Sequence, residues 1–312
     1  MGGGKGGSDF DPKGKSEREV MRFCQALATE LFRRIGADTD VPAGDIGVGG
    51  REVGYMAGMT QKLTNCKACT FTGKGVAFQG SLMRPEATGY GVVYFLEAVL
   101  KRHQQELQGK TVLVSEAGNV AQHAIAKCLQ LGAKVISVSD SRGCAHDAAG
   151  FTPEKLRTLM DIKGARHGIV EEYAKQVGAE YHAGKRPWHL KADIALPCAT
   201  QNELELEDAK SLIRNGVLAV VEGANMPTTM EATTEPINAG GVAVSGLEMT
   251  QDAMRLGWTA EEVDKKLHGT MNSIHGACVK YGTEGGKTNY VNGANIAGFV
   301  KVAEAMKELG VV

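Results

Sequence analysis

The sequence lacks long hydrophobic runs and any excess of charge of one sign, although its 312 residues are 43% hydrophobic. No stretch of about 18 consecutive apolar residues is present, so no membrane span is predicted. The chain starts with glycines and charges rather than a basic segment and an apolar one, so no secretory signal is predicted. The 35 basic and 36 acidic side chains are interspersed, which argues against nucleic acid or acidic lipid as a partner. These features are typical of a soluble enzyme with two hydrophobic cores.

The cysteine pattern of a disulfide framework is also lacking, because the seven cysteines are an odd number and are spread along the chain. That pattern predicts reduced thiols in a cytoplasmic protein rather than a disulfide framework. Cys66 and Cys69 have the spacing of half a zinc site. No second pair of suitable spacing completes it, so no metal site is predicted. The run Gly14-Lys15-Ser16 is not a phosphate-binding loop, because Asp9 stands where that motif needs its first glycine.

Helices and strands alternate along the chain, which predicts an α/β fold. A capping box at Ser16–Glu19 begins the first helix, and a short strand is expected at 69–72. The expected architecture is a Rossmann-like, doubly wound, mainly parallel sheet, preceded by the remaining part of an α/β substrate domain. From residue 88 the alternation is regular, with strands expected at 111–114, 135–140, 193–196 and 219–221, and with a last helix at 295–309.

Residues 111–140 have the order strand, glycine turn, helix and strand, and the second strand ends in Asp140. This is the dinucleotide-binding βαβ arrangement, in which a helix N-terminus faces a pyrophosphate. Gly118, Asn119 and Val120 form the predicted turn. Glu116 stands where the full fingerprint has glycine, so its bulk and charge are expected to weaken the binding of a diphosphate.

The end of the second strand indicates which nicotinamide cofactor is used. Asp140 alone would accept ribose hydroxyls and repel a 2′-phosphate. Ser141 follows it, however, and Lys163 and Arg166 lie on a segment expected nearby, so NADP is favoured. The alternative interpretation of Lys163 and Arg166 is a solvated helix face.

Lys5 lies in a run of glycines, and Asp45 ends a segment that Pro42 stiffens. A small substrate could approach such a lysine, and an aspartate within reach could exchange protons with it. Taken singly, each residue also fits a structural role. Glycine-rich termini are usually flexible tails, and an aspartate after Pro-Ala-Gly usually belongs to a turn.

Four strings, in matching order and spacing, resemble NADP-dependent glutamate dehydrogenases of the bacterial and lower-eukaryotic type; they are 2–12, 40–52, 84–91 and 289–299. The resemblance implies interconversion of glutamate with 2-oxoglutarate and ammonium through NADP(H). It implies a homo-oligomer, which is a hexamer in that family. It also implies a longer domain ahead of residue 1, with two more lysines for the substrate carboxylates, so the chain is expected to be N-terminally truncated.

The resemblance further implies the roles of individual residues. Lys5 polarises the water that attacks an imine, and Asp45 carries protons to and from the nitrogen. Thr88 and Ser245 lie at the substrate, where Ser245 contacts the distal carboxylate. The 2′-phosphate is lined by the positions of Ser141, Lys163 and Arg166, and the nicotinamide ribose by those of Asn225 and Asn238.

Three domains are expected on this basis. Residues 1–85 would be the C-terminal part of a substrate-binding and oligomerisation domain, 86–287 the dinucleotide-binding domain, and 288–312 a helix that returns to the first domain. The family usually has another strand between Thr229 and Asn238, so its loss is expected to expose a sheet edge. Two alternatives stay open: a non-catalytic fragment or paralogue that keeps the nucleotide fold, and a dehydrogenase of an apolar amino acid. Ser245 and the string 40–52 favour glutamate.

Overall fold

The computed structural model describes residues 4–12, 14–45, 47–165, 168–232 and 240–310. Within these ranges the chain forms ten α-helices and nine strands. The helices are α1 (Glu17–Leu31), α2 (Gly50–Thr64), α3 (Ala87–Arg102), α4 (Asn119–Gln130), α5 (Pro153–Met160), α6 (Val170–Val177), α7 (Leu206–Arg214), α8 (Gly240–Met254), α9 (Ala260–Gly282) and α10 (Tyr290–Leu309). The strands are β1 (Thr111–Val114), β2 (Lys134–Val135), β3 (Ser137–Asp140), β4 (Gly143–His146), β5 (Glu180–Ala183), β6 (Ile194–Leu196), β7 (Ala219–Val220), β8 (Thr283–Glu284) and β9 (Lys287–Thr288).

The fold is an α/β fold with a mainly parallel central sheet, which confirms the predicted class. The chain divides into two compact units. The first unit comprises Met1–Pro85 and Gly241–Leu267, and the second comprises Glu86–Gly240 and His268–Val312. The functional domains expected at 1–85, 86–287 and 288–312 stay predictions. No helix in the described part of the chain is long and apolar enough to cross a membrane.

In the first unit, α1 packs against α2 through a small apolar core. The predicted capping box begins α1: Ser16 Oγ accepts from the Glu19 N–H, and the Glu19 carboxylate accepts from the Ser16 N–H at 2.8 Å. The buried side chains of this core are Val20, Cys24, Ala28, Val53, Met56, Ala57 and Phe71. Helical spacing puts the α1 members on one face, which explains why the pattern was visible in the sequence.

The predicted strand at 69–72 is wrong. Only Thr72 makes a ladder contact there, an isolated parallel bridge to Ala43. The residues just before Thr72 place their backbone groups in other hydrogen bonds. The Thr70 N–H donates to the Ala68 carbonyl, and the Phe71 carbonyl accepts from Lys74 Nζ at 2.7 Å. A carbonyl that accepts from a buried ammonium is not available for a regular ladder of strand pairs.

Lys74 is a buried cation that ties this loop to α8 within the first unit. Its Nζ lies 2.8 Å from Glu248 Oε1 and 3.0 Å from Asp252 Oδ2. The Lys74 and Glu248 side chains are only 4% and 0% exposed. Burial opposes the charge of Lys74, but the neighbouring carboxylates outweigh that effect and raise its pKa.

The second unit is built on a parallel sheet in the order β2-β1-β6-β7. Val112 pairs with Val135 on one side and with Ile194 on the other, so β1 is a central strand, and its last three residues are buried. This explains its continuous apolar sequence. The predicted strand at 135–140 is divided at Ile136: β2 stays with the parallel sheet, whereas β3 joins an antiparallel sheet in the order β3-β4-β5.

β7 is the edge strand of the parallel sheet as far as the chain is described. A cavity of about 470 Å³ lies beside it, lined in part by Phe95, Leu212 and Val220. The segment between Thr229 and Asn238, where a strand was expected to be missing, falls largely outside the described residues. The loss of a strand there stays a prediction.

Two close helix contacts order the second unit around this sheet. At Gly89 in α3 an added Cβ would lie 2.5 Å from the Ala124 nitrogen of α4, so only glycine fits. Beside this contact the Lys127 ammonium lies 3.9 Å from the Tyr90 ring centroid and 4.9 Å from that of Tyr94. At Gly293 in α10 an added Cβ would collide with the Cys278 carbonyl of α9. α10 begins at Tyr290, earlier than predicted.

Candidate active site

The structure brings Lys5 and Asp45 together in the first unit. Lys5 Nζ lies 3.1 Å from Asp45 Oδ2, and it donates to the carbonyls of Gly44 at 2.9 Å and Ala43 at 3.3 Å. The two side chains are 56% and 53% exposed, so the described residues do not bury the lysine in the partly desolvated cleft expected for it.

Backbone pairing explains how residues 40 positions apart come to meet. Gly4 forms a parallel bridge with Pro42, so Lys5, which follows Gly4, lies beside Ala43 and Gly44, which follow Pro42. Gly44 has no room for a side chain, because a Cβ there would lie 2.7 Å from the Val48 carbonyl oxygen. The chain can therefore turn tightly just before Asp45 and direct it towards Lys5.

The two expected substrate residues lie on different helices. Ser245 is 7% exposed on α8 of the first unit. The hydrogen bonds seen among the described residues do not link it to Lys5 or Asp45. Thr88 is half-buried in the first turn of α3, in the second unit. Their roles at the substrate stay predictions.

The expected cofactor turn lies between β1 and α4. Gly118 is the N-cap of α4 in an extended conformation, and Asn119 and Val120 form the first helical turn. The first N–H groups of a helix have no partner within the helix, and they carry the positive end of its dipole. This end of α4 is therefore suited to an anionic group.

Glu116 adopts the backbone conformation of the glycine that it replaces. Its φ is +70°, in the left-handed region that disfavours a side chain. Ser139 holds the turn in place, because its Oγ accepts from the Glu116 N–H at 2.9 Å. Burial raises the pKa of the Glu116 carboxyl, and the nearby Asp140 charge acts in the same direction, while Lys163 opposes both.

The carboxylate of Asp140, at the end of β3, accepts hydrogen bonds from two backbone N–H groups. Its Oδ1 accepts from the Arg142 N–H at 2.9 Å, and its Oδ2 accepts from the Val170 N–H at 2.8 Å, at the start of α6. Lys163 Nζ lies 3.8 Å from the same Oδ2, so the predicted neighbourhood of these two residues is present. Ser141 beside them is exposed.

The remaining predicted cofactor residues divide into two groups. Asn225 is exposed in the turn after β7. Arg166 and Asn238 lie outside the described residues.

Two buried carboxyls beside the turn were missed from the sequence. Glu203 is 2% exposed and Glu222 is 4% exposed. Burial raises the pKa of each to about 7. Glu203 Oε1 accepts from the Ala199 N–H at 2.8 Å, and Glu222 Oε1 accepts from the Thr228 N–H at 3.2 Å. A glutamate soon after a predicted strand of the parallel sheet, as both are after β6 and β7, was the available signal.

The fold and these sites are typical of a dehydrogenase-type α/β protein, with a helix N-terminus suited to an anionic group and a lysine–aspartate pair suited to proton exchange. Residues 80–310 match the family described as Glutamate/Leucine/Phenylalanine/Valine dehydrogenase. Residues 1–62 match the description Glu/Leu/Phe/Val dehydrogenase, dimerisation domain. The chain therefore belongs to the Glu/Leu/Phe/Val dehydrogenase family.

Individual relatives agree with this assignment. The chain is 64% identical to the NADP-specific glutamate dehydrogenase of Escherichia coli strain K12, over the whole chain and 72% of that protein. It is 59% identical to the NAD(P)-specific glutamate dehydrogenase of Xylanibacter ruminicola, over the whole chain and 73% of that protein. The solved structure of Plasmodium falciparum glutamate dehydrogenase matches with a TM-score of 0.93 at 46% identity, over 97% of this chain and 68% of that one. The hetero-hexameric enzyme from Thermus thermophilus matches at 0.82 and 25%, over 97% and 72%.

Proposed function

We propose that this chain interconverts L-glutamate with 2-oxoglutarate and ammonium, using NADP(H). The observation that carries the proposal is the 3.1 Å Lys5–Asp45 pair, found in a chain that is 64% identical to an NADP-specific glutamate dehydrogenase. Neither half is sufficient alone. A lysine–aspartate contact is common on protein surfaces, and membership of the family alone leaves open which amino acid is oxidised.

The donors of the second unit fit a phosphorylated dinucleotide. The free N–H groups at the start of α4, at Asn119 and Val120, suit a pyrophosphate. At the end of β3, the Ser141 hydroxyl and the Lys163 ammonium suit a 2′-phosphate, and the Lys163 charge balances Asp140. Glu116 is the one group of this set that opposes a diphosphate.

Lys5 and Asp45 would perform the proton chemistry. NADP, when bound, accepts a hydride from the Cα of glutamate or returns it in the reverse direction. The Lys5 ammonium would polarise the water that attacks the imine carbon of the substrate. The Asp45 carboxylate would take a proton from the substrate nitrogen and return it as ammonia leaves. Their 3.1 Å contact keeps an acid and a base within reach of one reacting centre.

Replacement of Asp45 tests this assignment directly. Asp45→Asn keeps the shape of the side chain but removes the base, so kcat should fall by about 100-fold or more. The NADPH Kd, measured by cofactor fluorescence, should change by less than about twofold, because Asp45 belongs to the other unit. Asp38→Asn, at an exposed aspartate of the same unit, is the matched control. Equal losses of kcat and NADPH affinity would show that Asp45 is structural and would remove the proposal's basis.

The same preparation separates the alternatives. Turnover of glutamate but not of leucine supports the proposal, whereas the reverse preference would assign an apolar amino acid. Binding of NADPH without turnover of either amino acid would indicate a non-catalytic module. No binding at millimolar NADPH would reject the cofactor assignment itself.

The chain is expected to form oligomers, because residues 1–62 match a dimerisation domain. We infer a homo-hexamer, as the family resemblance implies; the matching Thermus thermophilus structure, described as hetero-hexameric, supports the number of six subunits. We also infer a cytoplasmic location, which suits the free thiols of all seven cysteines. Light scattering coupled to gel filtration measures the assembly, and a monomer at micromolar concentration would refute the hexamer.

A further inference from the structure

A cluster of imidazole and carboxylate groups lies on the antiparallel sheet of the second unit, and none of its residues is assigned a role above. His146 on β4 pairs directly with Glu180 on β5, and Cys144 pairs with His182. Successive strand residues alternate between faces, so residues two apart share one face. His146, Glu180 and His182 therefore project from the same face of the sheet.

The separations within this cluster match those between the ligands of a small divalent cation. His146 Nδ1 lies 3.7 Å from Glu180 Oε2, and His182 Nε2 lies 3.6 Å from Glu180 Oε1. One donor atom from each of the three residues lies within 4.8 Å of the others. Tetrahedral zinc with bonds of about 2.0–2.1 Å holds its ligand atoms about 3.3 Å apart, so side-chain shifts of about 1 Å would complete the site.

A buried nitrogen of His182 also points to a ligand at this cluster. Its Nε2 is buried, yet among the described residues it has no hydrogen-bond partner. Buried polar atoms are normally satisfied, so an orphaned imidazole nitrogen that points at a carboxylate indicates a missing partner. A cation between the two groups would satisfy both.

The turn at Pro187–His189 offers a fourth imidazole beside the cluster, outside the group of three whose donor atoms lie within 4.8 Å of one another. The His189 ring centroid lies 5.0 Å from that of His182. His189 Nδ1 lies 2.8 Å from the Arg186 carbonyl, which can only accept, so Nδ1 carries a proton; in the neutral imidazole Nε2 then keeps its lone pair. A backbone carbonyl that fixes the tautomer in this way is the usual support of a metal-binding histidine.

We propose that His146, Glu180 and His182 bind a zinc-type divalent cation, with His189 as the fourth ligand. The cation would fasten β4, β5 and the following turn to one another. Imidazole and carboxylate ligands in this number are those of zinc sites. The competing explanation is a set of ion pairs between protonated histidines and Glu180, which needs no metal and would give no metal-dependent signal.

Binding of zinc alone to the full chain tests the site. The experiment uses a Cys66→Ser background, since Cys66 is an exposed thiol that could bind zinc by itself. After removal of metals with a chelator, equilibrium dialysis should find one zinc ion per chain, and zinc should raise Tm by several degrees. No retained zinc, or an unchanged Tm, would overturn the proposal.

Variants locate the ion. Glu180→Gln, at a 67% exposed side chain, and His146→Gln should each weaken zinc binding by about tenfold or more. His103→Gln, at an exposed histidine of the same unit, should leave it unchanged. Bound cobalt(II) should show visible bands of a nitrogen and oxygen site. A sulfur-to-cobalt band, or equal zinc binding by all three variants, would place the ion elsewhere and refute the assignment.

Discussion

Glu203 should make the second unit less stable as the pH rises. This carboxyl is 2% exposed, and burial raises its pKa from the ordinary 4.5 to about 7. The folded chain thus holds the proton more tightly than the unfolded chain. Stability is full below about pH 4.5 and falls as the pH rises through 7. Glu203→Gln removes this titration and keeps an oxygen to accept from the Ala199 N–H.

The size of the effect follows from the two pKa values. A difference of about 2.5 pH units at about 1.36 kcal/mol per unit gives a penalty of about 3 kcal/mol once Glu203 is ionised. Between pH 5 and pH 8 the wild-type chain should lose about 2–3 kcal/mol through this group. Glu222 also titrates at about 7, partly because of the Glu203 charge, so the variant should keep part of the slope.

Urea denaturation followed by tryptophan fluorescence measures this change. Trp188 is fully buried, and its Nε1–H donates to the Glu203 carbonyl at 3.3 Å, so it reports on the right region. A Trp258→Phe background isolates its signal. The Glu203→Gln variant should be about 2 kcal/mol more stable than wild type at pH 8 and nearly equal to it at pH 5. Glu106→Gln, at an exposed site, is the control, and equal slopes for Glu203→Gln and wild type would refute the reasoning.

Three further substitutions test other parts of the structure. Gly89→Ala should lower the unfolding free energy, measured in urea, by about 3 kcal/mol, because its Cβ would lie 2.5 Å from a backbone nitrogen of α4. Gly58→Ala is the control and should not lower it, because a Cβ there meets open space. Similar values for the two variants would contradict the packing of α3 on α4. Lys74→Met should lower the unfolding free energy by about 3–5 kcal/mol, because it leaves the Glu248 charge buried and unpaired. Adding Glu248→Gln should restore much of this stability. An unchanged Tm in the single variant would count against the ion pair. Glu116→Gly should tighten NADPH binding by about fivefold or more and raise Tm, since it removes both the negative charge and the left-handed strain. Glu116→Ala removes only the charge, so it should tighten NADPH binding without raising Tm. Equal Kd values for wild type and variants in a fluorescence titration would show that the carboxyl is remote from the cofactor.

Those parts of the fold that depend on local sequence were predictable. The capping box at Ser16 and the strand at 111–114 were confirmed, because hydrogen bonds over three residues and continuous apolar runs leave direct patterns. The strand at 69–72 was predicted from the same kind of pattern, but a buried lysine takes one of its carbonyls instead. The division at Ile136 also left no mark, because the residues on both sides of it are extended and lie in one unbroken stretch of strand-forming sequence.

The features that depend on distant pairing were out of reach. Lys74 and Glu248 are 174 residues apart, and nothing in either neighbourhood marks a buried ion pair. The cluster of His146 and Glu180 depends on the register of β4 against β5. A shift of one residue in that register would put the two side chains on opposite faces of the sheet. Lys5 and Asp45 were selected by resemblance, and their distance follows from a single bridge at Gly4.

The ties that Asp140 makes restrict how cofactor preference can be redesigned in this chain. Its carboxylate holds the amides of Arg142 and Val170 at once, so it anchors the start of a helix as well as the end of a strand. A substitution of Asp140 that alters the preference between phosphorylated and unphosphorylated nucleotides would also remove the hydrogen bond that holds the start of α6. An engineer who wants to change nucleotide choice without losing expression should therefore begin at Ser141 and Lys163 and leave Asp140 in place.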